Sequence, residues 1–190
     1  LTNVGKSTLT QALLGQPIAP RQNGPATATP VEYQYGNTWK MEIHQRDAFQ
    51  IQTYHFADAN ALANSLKTHV LESEKRKNKS PNALRIIVSG PIDLLANTSL
   101  VFADTPGFGA AQLDPDTSNH EKVLVDYLDQ HVNEVYFCIS GRDFLVKQEE
   151  QLFFEKIKDI CSTIIVNKWD MIDKAKFSYE DAKTTMSEVF

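Results

Sequence analysis

The sequence predicts an α/β fold in which helices cover both faces of a mostly parallel central sheet, giving a three-layer α/β/α sandwich. From about residue 84 onward, short apolar segments that suit strands alternate with helical segments, a pattern typical of parallel sheets. Two polar motifs each follow one of these predicted strands, and a third motif opens a predicted helix. Ligands bind such sheets beyond the carboxyl ends of the strands, where these motifs are expected to lie.

The composition is that of a globular protein and argues against several classes of function. The 190 residues are 42% hydrophobic and 23% charged, with a formal net charge of −5. This balance indicates no nucleic acid as a partner and no general attraction to an anionic membrane. No apolar run approaches the roughly 20 residues that a membrane-spanning helix needs. Cys138 and Cys161 lack metal-ligand spacing, which is typical of a reducing compartment.

The chain begins within the phosphate-loop pattern G-x-x-x-x-G-K-[ST]. Residues 1–4 fill the variable positions, Gly5 is the second glycine, and Lys6 and Ser7 complete the pattern. In this pattern backbone N–H groups curl around a phosphate at the positive end of a helix. The lysine places a charge between the β- and γ-phosphates, and the serine hydroxyl suits Mg²⁺. The loop residues expected to bind nucleotide are Asn3, Val4, Gly5, Lys6, Ser7 and Thr8.

A second motif, Asp-Thr-Pro-Gly at residues 104–107, fits the D-x-x-G element that senses Mg²⁺ and the γ-phosphate. Asp104 is expected to hold the metal, directly or through water. Gly107 has no side chain, so its amide can approach the γ-phosphate. The loop around it is expected to relax when that phosphate leaves.

A third motif, Asn-Lys-Trp-Asp at residues 167–170, fits the guanine-reading element N-K-x-D. The Asp170 carboxylate suits the N1–H and exocyclic amine of guanine, a donor pair that adenine lacks. Asn167 is expected to bond to the base or to the phosphate loop, and the stem of Lys168 to lie across the purine. Trp169, at the variable position, is expected to pack.

Each motif alone has a structural alternative, such as an ordinary helix start after a strand. Because all three occur in the right order, the sequence predicts a P-loop NTPase of the GTPase type, with GTP or GDP and Mg²⁺ as ligands. Asn167 and Asp170 argue against an ATPase or a nucleotide kinase.

The remaining elements follow from periodicity and from Gly and Pro positions. Gly15 is expected to stop the first helix, and Asp58 to cap the second. The strand at 31–35 and the next are joined by a turn at Gly36 and Asn37. Helices are predicted at 5–14, 58–75, 120–130, 147–158 and from 178, and strands at 31–35, 39–43, 84–89, 99–103, 135–139 and 163–166.

Three stretches resemble the N-terminal GTPase domain of the dynamin superfamily, particularly its bacterial dynamin-like members. They are Asn-Val-Gly-Lys-Ser-Thr-Leu with the helix to residue 15, Gly-Pro-Ala-Thr-Ala-Thr-Pro at 24–30, and residues 90–108 from Gly-Pro to Asp-Thr-Pro-Gly-Phe. The resemblance spans nearly the whole chain. It implies a partial GTPase domain over residues 1–190, with the opening glycine and a strand expected before Leu1 and the last guanine-contacting loop after Phe190.

The same resemblance assigns three further roles. Thr27 and Thr29 both suit the first switch, and the family pattern favours Thr27 as the threonine that binds Mg²⁺ and helps to orient the attacking water. Asn3 occupies the position of a catalytic serine in eukaryotic dynamins. Several GTPases with asparagine at this position use a bound K⁺ ion as a positive charge, so we expect Asn3 to help hold K⁺ as an activating cation when two GTPase domains pair. Phe108 stands where Ras-like enzymes carry a catalytic glutamine, and an apolar side chain cannot orient water.

The resemblance implies a homodimer or larger homo-oligomer formed through the GTPase domains. It also implies a cytoplasmic location, with peripheral membrane association at the inner face through regions outside these residues. Two alternatives remain open. One is an Era-like GTPase of ribosome assembly, although the chain lacks that group's Thr-Thr-Arg-Asp first switch. The other is a GTP-regulated scaffold with slow turnover.

Overall fold

The computed structural model of the protein describes residues 4–20, 29–45, 51–75, 83–106, 117–141, 148–171 and 178–189. The chain divides into two compact units. We call Lys6–Gly107 the five-strand unit, and Leu1–Gly5 together with Phe108–Phe190 the two-strand unit.

The described residues of the five-strand unit form two α-helices and a mixed sheet. Its strands lie in the order β3-β2-β4-β1-β5. A short 3-10 helix at Asp93–Leu95 precedes β5. The elements are α1 (Lys6–Leu14), β1 (Val31–Tyr35), β2 (Trp39–Gln45), β3 (Gln52–Phe56), α2 (Ala59–Lys75), β4 (Ala83–Gly90) and β5 (Phe102–Asp104).

The prediction of a mostly parallel central sheet is not confirmed. Strands β1 and β4 are parallel, whereas the pairs β1–β5, β2–β3 and β2–β4 are antiparallel. The prediction rested on the alternation after residue 84, and only β4 and β5 of this sheet come from that region. Strands that are close in sequence, such as β2 and β3, pair antiparallel because a short connection suffices. The mixed α/β class itself is confirmed.

The core of the five-strand unit lies on one face of this sheet. Alternate residues of the strands face it because successive side chains on a strand point to opposite faces. The helix α2 covers this face with Leu62 and Leu66, both fully buried as their spacing predicts. The fully enclosed strand side chains are Val31, Tyr33, Met41, Ile86 and Val88.

Two helix boundaries lie where the sequence predicts them, at Asp58 and at Gly15. Asp58 accepts a hydrogen bond from the Ala61 N–H at 2.8 Å and so caps α2. Gly15 follows α1 with a φ of 65°, the left-handed conformation that favours glycine at this position. The turn at residues 36 and 37 connects β1 to β2, but the two strands do not pair because β4 lies between them.

The two-strand unit places helices beside a parallel strand pair. Its elements are α3 (Thr117–His131), β6 (Val135–Ser140), α4 (Gln148–Ile157), β7 (Cys161–Asn167) and α5 (Tyr179–Val189). Strands β6 and β7 are parallel, in agreement with the alternating pattern of this region. The spacing of the apolar residues in 147–158 predicts that Leu152, Phe153 and Ile157 all face inward. Phe153 and Ile157 are buried, but Leu152 is 59% exposed, so the prediction is wrong for Leu152. Phe153 packs against Phe137 on β6, and the neighbouring Leu152 therefore lies on a different side of α4, toward solvent.

None of the helices within the described residues has the length and hydrophobicity required to span a membrane.

Candidate functional site

The phosphate loop shows the backbone that its sequence predicts. Val4 is buried, and Gly5 has a φ of 92°, a conformation that residues with a side chain rarely adopt. A Cβ atom on Gly5 would also overlap the side-chain amide of Asn167, so glycine is required here for two reasons. Lys6 and Ser7 are the first residues of α1, and Thr8, in the same first turn, is exposed. The N–H groups at a helix start favour an anion.

The guanine motif contacts the phosphate loop directly in the two-strand unit. Asn167 ends β7, and its Nδ2 donates a hydrogen bond to the Val4 carbonyl at 2.8 Å. Its Oδ1 accepts from the Lys168 N–H at 2.9 Å, which fixes the orientation of the amide. Of the two alternatives for Asn167, the structure therefore shows the contact with the loop. Lys168 has a φ of 60°, a strained value for a residue with a side chain.

Asp170 lies in a 3-10 helix at Trp169–Met171 and is exposed. The Met171 N–H donates to the Lys168 carbonyl at 3.1 Å and closes this turn. The carboxylate is thus held near the end of β7 with its oxygens open to a ligand. This arrangement fits the role predicted for Asp170.

Trp169 packs, as predicted for the variable position of the motif. It lies against Ala182 of α5, and its ring meets Tyr179 edge-on with centroids 6.0 Å apart. The motif is therefore anchored to α5 by apolar contact, and Trp169 contributes stability rather than recognition.

Asp104 ends β5 in the five-strand unit and is 2% exposed. Burial raises the pKa of this carboxyl above its ordinary value of 3.8, although a hydrogen bond from Ser7 and the charge of Lys6 act in the opposite direction. One carboxylate oxygen, Oδ2, is buried and has no hydrogen-bond partner among the described residues. A charged oxygen without a partner is costly, so this site favours a cation.

These residues fit the Mg²⁺ that the sequence predicts. Mg²⁺ at nucleotide sites uses one or two carboxylates, and phosphates and waters supply the remaining ligands. Asp104 offers an unpaired buried oxygen, and the Ser7 hydroxyl lies within hydrogen-bonding distance of that carboxylate. No group of three or more His, Cys, Asp or Glu side chains that could hold a metal occurs in the described parts of the chain.

Three predicted site residues, Asn3, Thr27 and Gly107, lie outside the described residues, as does Phe108. Thr29, the alternative to Thr27 as the metal-binding threonine of the first switch, lies within the described residues and is 2% exposed.

Tyr33 was not among the site residues predicted from the sequence. Its side chain is fully buried, and its hydroxyl has no hydrogen-bond partner among the described residues. Burial raises the pKa of Tyr33 well above its ordinary value of 10.0, and the nearby charge of Asp104 raises it further. The alternation of β1 indicated that Tyr33 faces the core. The pairing of β1 with β5, which brings it near Asp104, has no signal in the sequence.

The fold and these side chains define a phosphate-loop GTPase domain. The sequence model of the dynamin family matches residues 2–168, and the chain belongs to this family.

Two curated relatives and two solved structures match the chain. A bacterial dynamin-like protein of Nostoc punctiforme is 25% identical over 183 residues, covering 94% of this chain and 25% of that protein. GTPase Der of Herpetosiphon aurantiacus is 93% identical, but over only 27 residues, or 14% of this chain and 6% of that protein.

Two solved structures from work on an oligomerised bacterial dynamin pair, described as a mechanism for long-range sensing and tethering of membranes, share the fold. Their TM-scores are 0.58 and 0.63, with identities of 16% and 20%. Each match covers 100% of this chain, and 27% and 34% of the respective solved chains. The chain therefore spans about a third or less of the length of the proteins it matches.

Proposed function

We propose that this domain binds GTP with Mg²⁺ and hydrolyses it to GDP and phosphate. The observation that carries the proposal is the hydrogen bond from Asn167 to the Val4 carbonyl, because it joins the guanine motif to the phosphate loop. The two motifs belong to one nucleotide site only if they are adjacent. Membership of the dynamin family supports the same reaction.

In the proposed mechanism, phosphoryl transfer to water depends on positioning and on charge neutralisation. The N–H groups at the start of α1 donate to the β-phosphate, and the Lys6 ammonium neutralises charge on the β- and γ-phosphates. Mg²⁺, when bound, neutralises further charge on the phosphate oxygens. Ser7 would hold the metal through its hydroxyl oxygen while its proton stays hydrogen-bonded to the Asp104 carboxylate. Asp104 would hold it directly or through water.

Two residues outside the described ranges complete the proposed hydrolytic site. Thr27 is proposed to bind the metal and to orient the attacking water. Gly107 is proposed to donate its amide to the γ-phosphate and to release its loop when that group leaves.

Guanine selectivity is assigned to Asp170. An ionised carboxylate accepts from the N1–H and the exocyclic amine of guanine, and adenine offers no such pair. The stem of Lys168 is proposed to cover the purine plane.

The test measures binding of fluorescently labelled GTP to the full-length protein in Mg²⁺, with ATP as competitor. Asp170→Ala should weaken GTP binding by about 10- to 100-fold, the value of a lost hydrogen bond to a charged group, and reduce discrimination against ATP. Asp159→Ala, which removes an exposed carboxylate of the same unit, is the matched control and should bind normally. Equal binding of ATP and GTP by the wild type would reject the GTPase function.

We also propose that hydrolysis is activated when two GTPase domains pair, with K⁺ held by Asn3. Phe108 cannot orient water, so a further positive group is needed. The test is the specific activity against protein concentration in K⁺ and in Na⁺. Activity that rises with concentration, and only in K⁺, is expected, and Asn3→Ser should remove the K⁺ dependence. Equal rates in K⁺ and Na⁺ would reject the cation role, and flat, slow rates would favour the slow scaffold.

The full-length protein is proposed to be cytoplasmic and to assemble with itself at a membrane surface. This proposal rests on the dynamin family and on the described role of the solved bacterial dynamin pair.

A further inference from the structure

Two buried oxygen atoms of the five-strand unit have no hydrogen-bond partner among the described residues: Tyr33 Oη and Asp104 Oδ2. Their side chains are 0% and 2% exposed, so bulk solvent does not supply the missing partners. A polar group buried in this way is disfavoured, and most such groups in folded proteins are paired. Two of them near each other therefore require an explanation.

The register of the sheet brings these two side chains to one face. In the antiparallel pair β1–β5, Val31 lies opposite Asp104, and Tyr33 lies opposite Phe102. Opposed residues share a face, and so do residues two apart along a strand, so Tyr33 and Asp104 are diagonal neighbours. An aromatic side chain reaches across such a diagonal, roughly 7–8 Å between α-carbons. The charge of Asp104 acts on the Tyr33 hydroxyl, which agrees with this proximity.

The carboxylate of Asp104 can be held from two sides. Ser7 already forms a hydrogen bond with it, and Oδ2 is the oxygen left without a partner. Each carboxylate oxygen accepts more than one hydrogen bond, so a second donor leaves lone pairs for a metal or its water. A neutral phenol is a suitable donor because it keeps its proton when buried.

Packing alone does not explain the tyrosine. A phenylalanine fills the same enclosed position on β1 without burying a hydroxyl. Tyr35, two residues along the same strand, differs in that it is 44% exposed and its hydroxyl can reach water.

We propose that Tyr33 is a positioning residue for the Mg²⁺ site: in the nucleotide-loaded domain its hydroxyl donates a hydrogen bond, directly or through one water, to Asp104 Oδ2. This bond fixes the carboxylate orientation that faces the metal. The proposal rests on the proposed function, since it requires GTP binding that depends on Mg²⁺. Groups that orient a metal ligand in this way affect metal affinity strongly.

The experiment titrates Mg²⁺ into the full-length protein with a labelled, non-hydrolysable GTP analogue and records the Mg²⁺ concentration for half-maximal binding. Tyr33→Phe should raise this concentration by about tenfold. This is the lower end of the loss in metal affinity caused by removing a group that hydrogen-bonds a metal ligand. Nucleotide affinity in excess EDTA should not change, because the phosphate loop and the guanine motif are intact. Tyr35→Phe, which removes an exposed hydroxyl from the same strand and face, should behave as the wild type.

Thermal unfolding without nucleotide shows whether the variant is folded. Tyr33→Phe should melt at or above the wild-type temperature, because it removes an unpaired buried hydroxyl. An unchanged Mg²⁺ requirement in a folded Tyr33→Phe variant would overturn the proposal. A fall in nucleotide affinity that is equal with Mg²⁺ and with EDTA would also overturn it. Failure of the wild type to bind GTP in an Mg²⁺-dependent way would instead reject the proposed function, so the two failures are distinguishable.

Discussion

At the scale of single residues, Asp104 combines its proposed role in metal binding with a cost to the folded state. Burial raises the pKa of this carboxyl above its ordinary value of 3.8, although Ser7 and Lys6 oppose the shift. The folded chain without nucleotide therefore keeps a proton on Asp104 at pH values where the unfolded chain has lost it. Its stability falls as the pH rises through that window, from 3.8 up to the raised value.

Asp104→Asn should accordingly stabilise the nucleotide-free domain at pH 7 by on the order of 1 kcal/mol, as replacements of strained site residues commonly do. Mg²⁺-dependent GTP binding should weaken by more than about tenfold, because a metal ligand is lost. Melting curves without nucleotide check the first part, and their difference from the wild type should vanish below the ordinary carboxyl pKa. A variant that melts below the wild type at pH 7 would contradict this account.

The sequence predicted most of the described site residues because their motifs are contiguous. Gly5, Asn167 and Asp170 could each be assigned from residues within three or four positions of one another. That Asn167 bonds to the Val4 carbonyl could not be predicted from the sequence, because this contact depends on how distant parts of the chain pack together. The same limit applies to Tyr33, whose closeness to Asp104 depends on the pairing of β1 with β5.

At the scale of elements, Gly90 at the end of β4 allows the indole of Trp39 on β2 to lie flat against the backbone. A Cβ atom on Gly90 would overlap the body of that ring. Gly90→Ala should therefore destabilise the fold by about 1–3 kcal/mol, the usual cost of overpacking, measured by denaturant unfolding. Trp39→Leu in the same chain should cancel part of this loss, because a smaller side chain leaves room for the methyl group. Strictly additive costs would show that the clash is not the cause.

The start of α2 depends on one side chain. Asp58 accepts a hydrogen bond from the Ala61 N–H, a group that has no partner within the helix. Asp58→Ala should cost about 1 kcal/mol of unfolding free energy, whereas Asp58→Asn should cost much less because its oxygen also caps. Helix content and the urea midpoint measure both variants. Equal stability of the alanine variant and the wild type would argue against the cap.

The elements themselves were largely predictable from periodicity, whereas their pairing was not. The alternation in 31–35 and 39–43 predicted β1 and β2, and Gly15 and Asp58 marked helix ends. Neither strand carries a signal that β4 inserts between them, since β4 comes from about 40 residues later. Parallel pairing occurs in β1–β4 and in β6–β7, and only in β6–β7 are the paired strands successive and joined by a helix, as the alternating pattern predicts.

At the scale of the whole chain, charge argues that this domain does not attract anionic membranes by itself. Aspartate and glutamate number 24, against 19 lysines and arginines. Each basic residue near an anionic surface contributes about 1 kcal/mol, and this excess of acidic residues opposes that attraction. The one dense basic run is Lys75, Arg76 and Lys77 with Lys79.

The 190-residue chain should therefore remain in the supernatant with phosphatidylcholine vesicles, and no more of it should sediment when phosphatidylserine is added. Because regions outside these residues are proposed to supply the membrane contact, the full-length protein should sediment with both and hydrolyse GTP faster on them. Alanine at positions 75, 76 and 77 is the control and should change neither result. Sedimentation of the 190-residue chain that depends on phosphatidylserine, and is lost in this triple variant, would instead make the basic run a lipid contact. In that case the domain itself would approach the membrane despite its net charge.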